Sequence, residues 1–314
     1  MLYKSRADFE GRVAFALGTG RCGTHFLARV MEREPGVVAS HERSQLGDAF
    51  HRYCQWYRLP VDHEGFLSTK EIGIRRDLAG QRLSFEASPY LSLSIRELYD
   101  RFGASFILLV RRPDEVVNSY WRKGWYERPY VRADSGRALG FQQCSRDNHS
   151  FARIVPSGME FETWNEMSRV GKIAWFWNAI NVAVLEQFAA IPETHRRVIR
   201  LEELSHPTYL TISEFLGVQS QVTEHDYERI AGWRPGRRPS GYTTTDWSAR
   251  EIAEFEAQVR PAAERFDYEY RVRELLSAPH LEPQSDTRLR ARPLRTAWRR
   301  LSESARIPNP GHEY

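Results

Sequence analysis

Val13-Ala-Phe-Ala-Leu17, Gly18-Thr-Gly-Arg-Cys-Gly-Thr-His25 and Phe26-Leu-Ala-Arg-Val-Met31 run on without a break. Five apolar residues closed by a glycine predict a buried strand. The residues from Thr24 to Glu34 predict a helix with Phe26, Leu27, Val30 and Met31 on one side. Strand, glycine loop and helix start together make an anion cradle. Loop N–H groups can converge on a phosphate, glycines allow close approach, and the helix dipole adds roughly half a positive charge at that end.

The loop fits two fingerprints in its glycines and a third in its cation. Gly18, Gly20 and Gly23 match G-x-G-x-x-G, and Glu42 falls near the position of a ribose-binding acid, about 20 residues on, as in NAD(P)-dependent oxidoreductases. Gly18 and Gly23 also match G-x-x-x-x-G-K-[ST], but Thr24 and His25 occupy the lysine and hydroxyl positions, so an ATP or GTP loop lacks both working residues. The third form is [K/R]-x-G-T-x-[FWY], with Arg21, Gly23, Thr24 and Phe26 in register. In this form the loop resembles that of sulfotransferases using 3′-phosphoadenosine 5′-phosphosulfate (PAPS), where it grips the 5′-phosphosulfate.

A second segment separates these readings. Ser105-Phe-Ile-Leu-Leu-Val110 predicts another buried strand, and it leads into Arg111-Arg-Pro-Asp-Glu-Val-Val-Asn-Ser119. An ordinary NTPase would want an aspartate there to help hold magnesium; this chain has two arginines, which suit a second anion. Arg111, Pro113 and Ser119 fit R-x-P-x-x-x-x-x-S and resemble the sulfotransferase motif for the 3′-phosphate of PAPS. The resemblance implies a central, mainly parallel sheet flanked by helices, a P-loop-like sulfotransferase architecture of the α/β class with an irregular aromatic-rich insertion. It implies PAPS as donor, no metal, and Gly20, Arg21, Cys22, Gly23, Thr24, His25, Arg111 and Ser119 around the nucleotide.

Further along, Val37-Val-Ala39 predicts a short strand ending at Ser40-His-Glu42. Tyrosine-sulfating and heparan-type members carry a glutamate base at the corresponding place, so the resemblance makes Glu42 the base, with His41 second and Glu86 third. Ser84-Phe-Glu-Ala-Ser-Pro-Tyr90 resembles the E-K-[ST]-P segment of carbohydrate-sulfating relatives, with Ala87 in place of the lysine. Lys70, Arg75 or Arg76 could supply the missing charge. Asp48 to Tyr57 reads as a helix with a wet aromatic face, and Leu59 to Arg76 as loop. A helix from Val170 to Phe188 follows from its apolar side. Arg197-Val-Ile-Arg-Leu201 and the segment to Phe215-Leu-Gly217 resemble the late core of the family. Arg237 and Arg238, in a glycine- and proline-rich loop, are further candidates for the 3′-phosphate.

Composition sets outer bounds. In 314 residues, 27% charged and 12% aromatic, a single large domain can bury a sizeable core. We read 1–276 as that domain, with an acceptor-binding insertion at 122–169 whose Trp125, Tyr126, Tyr130, Phe141, His149 and Trp164 either stack on an acceptor or pack, and 277–314 as a basic tail able to dock on a neighbour or a second subunit. A net charge of +4 makes no case for nucleic acid, and no apolar run approaches the ~18 residues of a membrane span. With no secretory signal and three cysteines lacking metal-ligand spacing, the expectation is a cytoplasmic protein with reduced thiols. Cys22 stands at a helix start, where a thiol pKa can fall, and is read as a small loop residue donating its backbone N–H. The acceptor is expected to be a small molecule, a saccharide or a peptide. A non-enzymatic nucleotide-binding scaffold is the remaining alternative.

Overall fold

A computed structural model describes residues 8–127, 151–232 and 242–277. The readings at Tyr130, Phe141, Cys144, His149, Arg237, Arg238 and the tail from 278 lie outside the described residues. The elements run β1 (Val13–Leu17), α1 (Thr24–Met31), β2 (Val37–His41), α2 (Gln45–Trp56), α3 (His63–Leu78), β3 (Leu83–Ala87), α4 (Ile95–Phe102), β4 (Ser105–Val110) and α5 (Pro113–Arg122). They continue as α6 (Glu160–Glu166), α7 (Arg169–Ala189), β5 (Arg196–Arg200), α8 (His206–Phe215), α9 (Glu224–Ala231), α10 (Ala249–Arg265) and α11 (Val272–Ser277).

The five strands form one sheet in the order β2-β3-β1-β4-β5, and every pairing is parallel. Helices therefore have to cover both faces, and the central strands are apolar on both sides. Val13, Phe15 and Leu17 of β1 join Phe106, Leu108 and Val110 of β4 in one buried cluster. Ala14 and Ala16 join Ile107 and Leu109 in the other. Period-two alternation assigns each residue its face.

The sheet order positions the site. From β1 the chain crosses to β2 on one side, and from β4 it proceeds to β5 on the other. α1 accordingly packs with one cluster through Leu27, Val30 and Met31, whereas α5 packs with the opposite one through Val116 and Val117. Helices leaving neighbouring strands toward opposite faces open a crevice at the carboxyl ends of β1 and β4, where open α/β sheets bind ligands.

Two sequence expectations change. The segment read as loop from Leu59 is α3, which starts where the Asp62 carboxylate accepts from the Gly65 amide at 2.8 Å, an N-cap bond. Gly65, Gly73 and a weakly sided pattern hid it. β3 is a fully buried strand, not merely a motif segment, and its insertion between β2 and β1 is a non-local event that no local pattern encodes. Of the aromatics in the 122–169 stretch, Trp125, Tyr126 and Trp164 are buried in the core, so for those three rings packing is the outcome.

Candidate active site

The loop after β1 enters the left-handed region at three residues. Gly20, Arg21 and Gly23 have φ of 82°, 61° and 97°. At Gly20 a Cβ would lie 2.3 Å from the Tyr120 hydroxyl, which is buried and donates to the Thr19 carbonyl at 2.5 Å. Neither side can yield cheaply, because moving the tyrosine breaks the bond that fixes the loop. If this loop holds the nucleotide proposed below, Gly20→Ala is expected to abolish its binding while the circular dichroism of the sheet and helices persists. A variant that binds as tightly as the parent would contradict this packing argument.

Arg21 and the β4–α5 junction meet directly. The Arg21 Nε donates to the Ser119 Oγ at 2.8 Å, and an Arg111 Nη donates to the Arg21 carbonyl at 3.2 Å. The other Arg111 Nη pairs with Glu115, one turn into α5, at 2.8 Å. Sequence reasoning separated Arg21 from Arg111 and Ser119 as two anion positions; the fold joins them in one network across the crevice. Arg112 turns away, held by Asp114 at 2.9 Å, while its amide donates to Glu202.

Cys22 is a buried loop residue. Its side chain is wholly buried, and desolvation pushes the thiol up to about 11 against the pull of the Gly20, Cys22 and Thr24 amides and the Arg111 charge. It fills the space beside Gly18, where a Cβ would come 2.4 Å from its sulfur. Burial outweighs the helix terminus here.

At the end of β2 stand His41 and Glu42. The His41 Nε2 lies 3.2 Å from the Thr24 Oγ1 and 3.8 Å from Glu42, and its ring meets that of His25 edge to face at 5.1 Å. Desolvation and the neighbouring His25 lower the His41 pKa to about 4, so the ring is neutral at pH 7. Glu42 shifts the other way: burial raises its carboxyl above the ordinary range, although Lys123, Arg52 and Arg21 oppose the rise. Its amide donates to the Ala87 carbonyl at 3.0 Å, extending the sheet ladder by one step and tying it to the crevice edge. The result is a carboxylate made more basic by desolvation yet ringed by cations, a setting suited to proton removal beside an anionic reactant.

Two of those cations escaped sequence reasoning. Arg52, on α2, is buried, donates to the Pro89 and Ala152 carbonyls at 3.1 and 2.8 Å, and lies over the Tyr90 ring. The available signal was a charge on the buried side of α2, four residues from Asp48. Lys123, just past α5, carried no local signal at all.

Lys70 and Glu86 take other roles than the sequence suggested. The Lys70 Nζ is enclosed between Asp48 at 2.7 Å and Glu86 at 2.9 Å, and all three side chains are buried. Glu86 also accepts from the Arg43 amide at 3.2 Å, so it is engaged as a structural carboxylate. Arg75 pairs with Glu71 and lies over Phe9. Removing Lys70 would leave two buried carboxylates facing each other, and Asp48 is already raised to about 6, mainly by burial. Lys70→Met is expected to cost about 3–5 kcal/mol, read as a lower midpoint in urea unfolding; an unchanged midpoint would show that the triad is not coupled.

No protein-family profile matches the chain, and no curated protein matches it in sequence. Among solved structures, the sulfotransferase domain of the Synechococcus olefin synthase is similar, with a TM-score of 0.46, 17% identity and coverage of 83% of this chain and 96% of that one. The sulfotransferase domain of the curacin biosynthetic pathway gives 0.46 and 14%, over 83% of this chain and 98% of that one. A sulfotransferase from Alicyclobacillus acidocaldarius gives 0.40 and 18%, over 79% and 96%.

Proposed function

We propose that this chain transfers a sulfuryl group from PAPS to a hydroxyl or amine of a small-molecule, saccharide or peptide acceptor. The observation that carries the reading is the joining of Arg21, Ser119 and Arg111 across the switch point between β1 and β4, with Glu42 and its cations on the same sheet edge. Glu42 takes the acceptor proton as the nucleophile attacks sulfur. The bond from sulfur to the bridging oxygen breaks, and adenosine 3′,5′-bisphosphate leaves with its electrons. Arg21 and the Thr24 hydroxyl stabilise the charge growing on the leaving oxygen, so positioning and electrostatics supply the rate. Arg111 and Ser119 receive the 3′-phosphate; Arg21 exchanges its bond to Ser119 for the donor.

The oxidoreductase alternative meets an obstacle in the sheet. A dinucleotide fold with order 3-2-1 places its ribose-binding acid on the strand beside the glycine loop. Here β3 intervenes, and Glu42 lies two strands from β1, roughly 10 Å in strand spacing. Incubation with ³⁵S-labelled PAPS and a panel of phenols, saccharides, amines and tyrosyl peptides tests the proposal. Label should pass to at least one class of acceptor; tight bisphosphate binding with no transfer to any class would favour a scaffold instead.

A further inference from the structure

His51, His63 and Glu97 have no part in the chemistry proposed above, yet their ligating atoms gather in one place. They come from α2, the first residue of α3 and the first turn of α4, and their three ligand atoms lie within 4.8 Å of one another. The His51 Nε2 is 2.7 Å from one Glu97 oxygen and the His63 Nδ1 is 2.9 Å from the other. A metal ion at about 2.0–2.1 Å from nitrogen and oxygen ligands places neighbouring donors about 3 Å apart, close to the two histidine–Glu97 separations.

The surroundings fix these groups as second partners fix metal ligands. The His51 ring stacks on Phe66, with centroids 3.7 Å apart and planes 5° from parallel. Gln55 donates to the same Glu97 oxygen that His51 approaches, at 2.9 Å. His51 is buried, whereas the His63 side chain is 59% exposed, so an ion could enter from solvent and keep a water there.

We propose that His51 Nε2, His63 Nδ1 and the Glu97 carboxylate form a binding site for a divalent transition-metal ion, of which Zn²⁺ suits the two-imidazole, one-carboxylate set, tying α2, α3 and α4 together. Each imidazole would carry its proton on the outer nitrogen when the ion is bound, releasing the Glu97 carboxylate from both hydrogen bonds. The partners of Glu97 lie 46 and 34 residues away, on two other helices, which is why no sequence motif announced them.

The test uses the full chain, stripped with a chelator and dialysed. Co²⁺ titration followed by visible absorption, and Zn²⁺ titration followed by calorimetry and thermal unfolding, should show one saturable equivalent and a higher Tm. His63→Gln keeps a hydrogen-bonding side chain but is a poor ligand, so it should retain the metal-free Tm while losing the saturable site. Gln55→Ala should weaken binding on the order of 10-fold to 100-fold. The proposal is overturned if the parent protein takes up no more metal than His63→Gln, which would leave the three residues as a hydrogen-bonded tie between helices.

Discussion

Glu42→Gln is expected to lower kcat by about 10²–10⁴ while leaving the affinity for adenosine 3′,5′-bisphosphate unchanged. The amide keeps the size of the side chain and the left-handed backbone at this position, φ 52°, but cannot accept the acceptor's proton. Its pH behaviour follows from the raised carboxyl. The working form is the ionised one, so turnover in the parent should fall as pH drops through a pKa above the ordinary 4.5, and this acid limb should vanish in the variant. Stability should run the opposite way. A carboxyl whose folded pKa exceeds its unfolded one favours the folded state at low pH and opposes it once ionised, so the variant's Tm at pH 7 should equal or exceed the parent's. Parent-like turnover in Glu42→Gln would remove Glu42 as the base and pass the role to another group.

Arg21→Ala should cost on the order of 10²–10³ in kcat, the effect of losing one preorganised donor to a developing anion. Its effect on binding should be smaller, because Arg111 and Ser119 remain. The substitution also frees the Ser119 hydroxyl and places alanine where φ is 61°, so a modest loss of stability accompanies the kinetic loss. Arg21→Lys separates charge from geometry: a lysine keeps the cation but not the planar fork, and partial recovery is the expected result. Equal kcat in parent and alanine variant would contradict a role for Arg21 on the leaving oxygen.

The legible parts of this site were those written within a few residues of each other. Gly18 to Gly23 followed by Thr24 states a strand-loop-helix turn in its own composition, and Pro113 at the first turn of α5 after an apolar hexapeptide does the same for β4 and its exit. Glu42 could be placed because it closes a strand. Its environment could not, since Arg52 and Lys123 arrive from α2 and from beyond α5. Lys70 shows the same limit: as a lone lysine it reads as a spare cation, and only the packing of α2, α3 and β3 reveals two carboxylates waiting for it. The raised Cys22 pKa was not legible, because burial, a tertiary quantity, outweighs the local helix start. The strand order was invisible for the same reason, and it separates Glu42 from the position a dinucleotide fold would require.

The central claim is that one adenosine nucleotide with two separate anionic groups spans the crevice between the β1 loop and the start of α5. Calorimetric titration of the parent and of Arg111→Ala with adenosine 3′,5′-bisphosphate, adenosine 5′-phosphate and NAD tests it most directly. The account predicts that the parent binds the bisphosphate well above the other two, and that Arg111→Ala abolishes this preference while binding adenosine 5′-phosphate as before. NAD binding tighter than the bisphosphate, or a preference unchanged by Arg111→Ala, would contradict it.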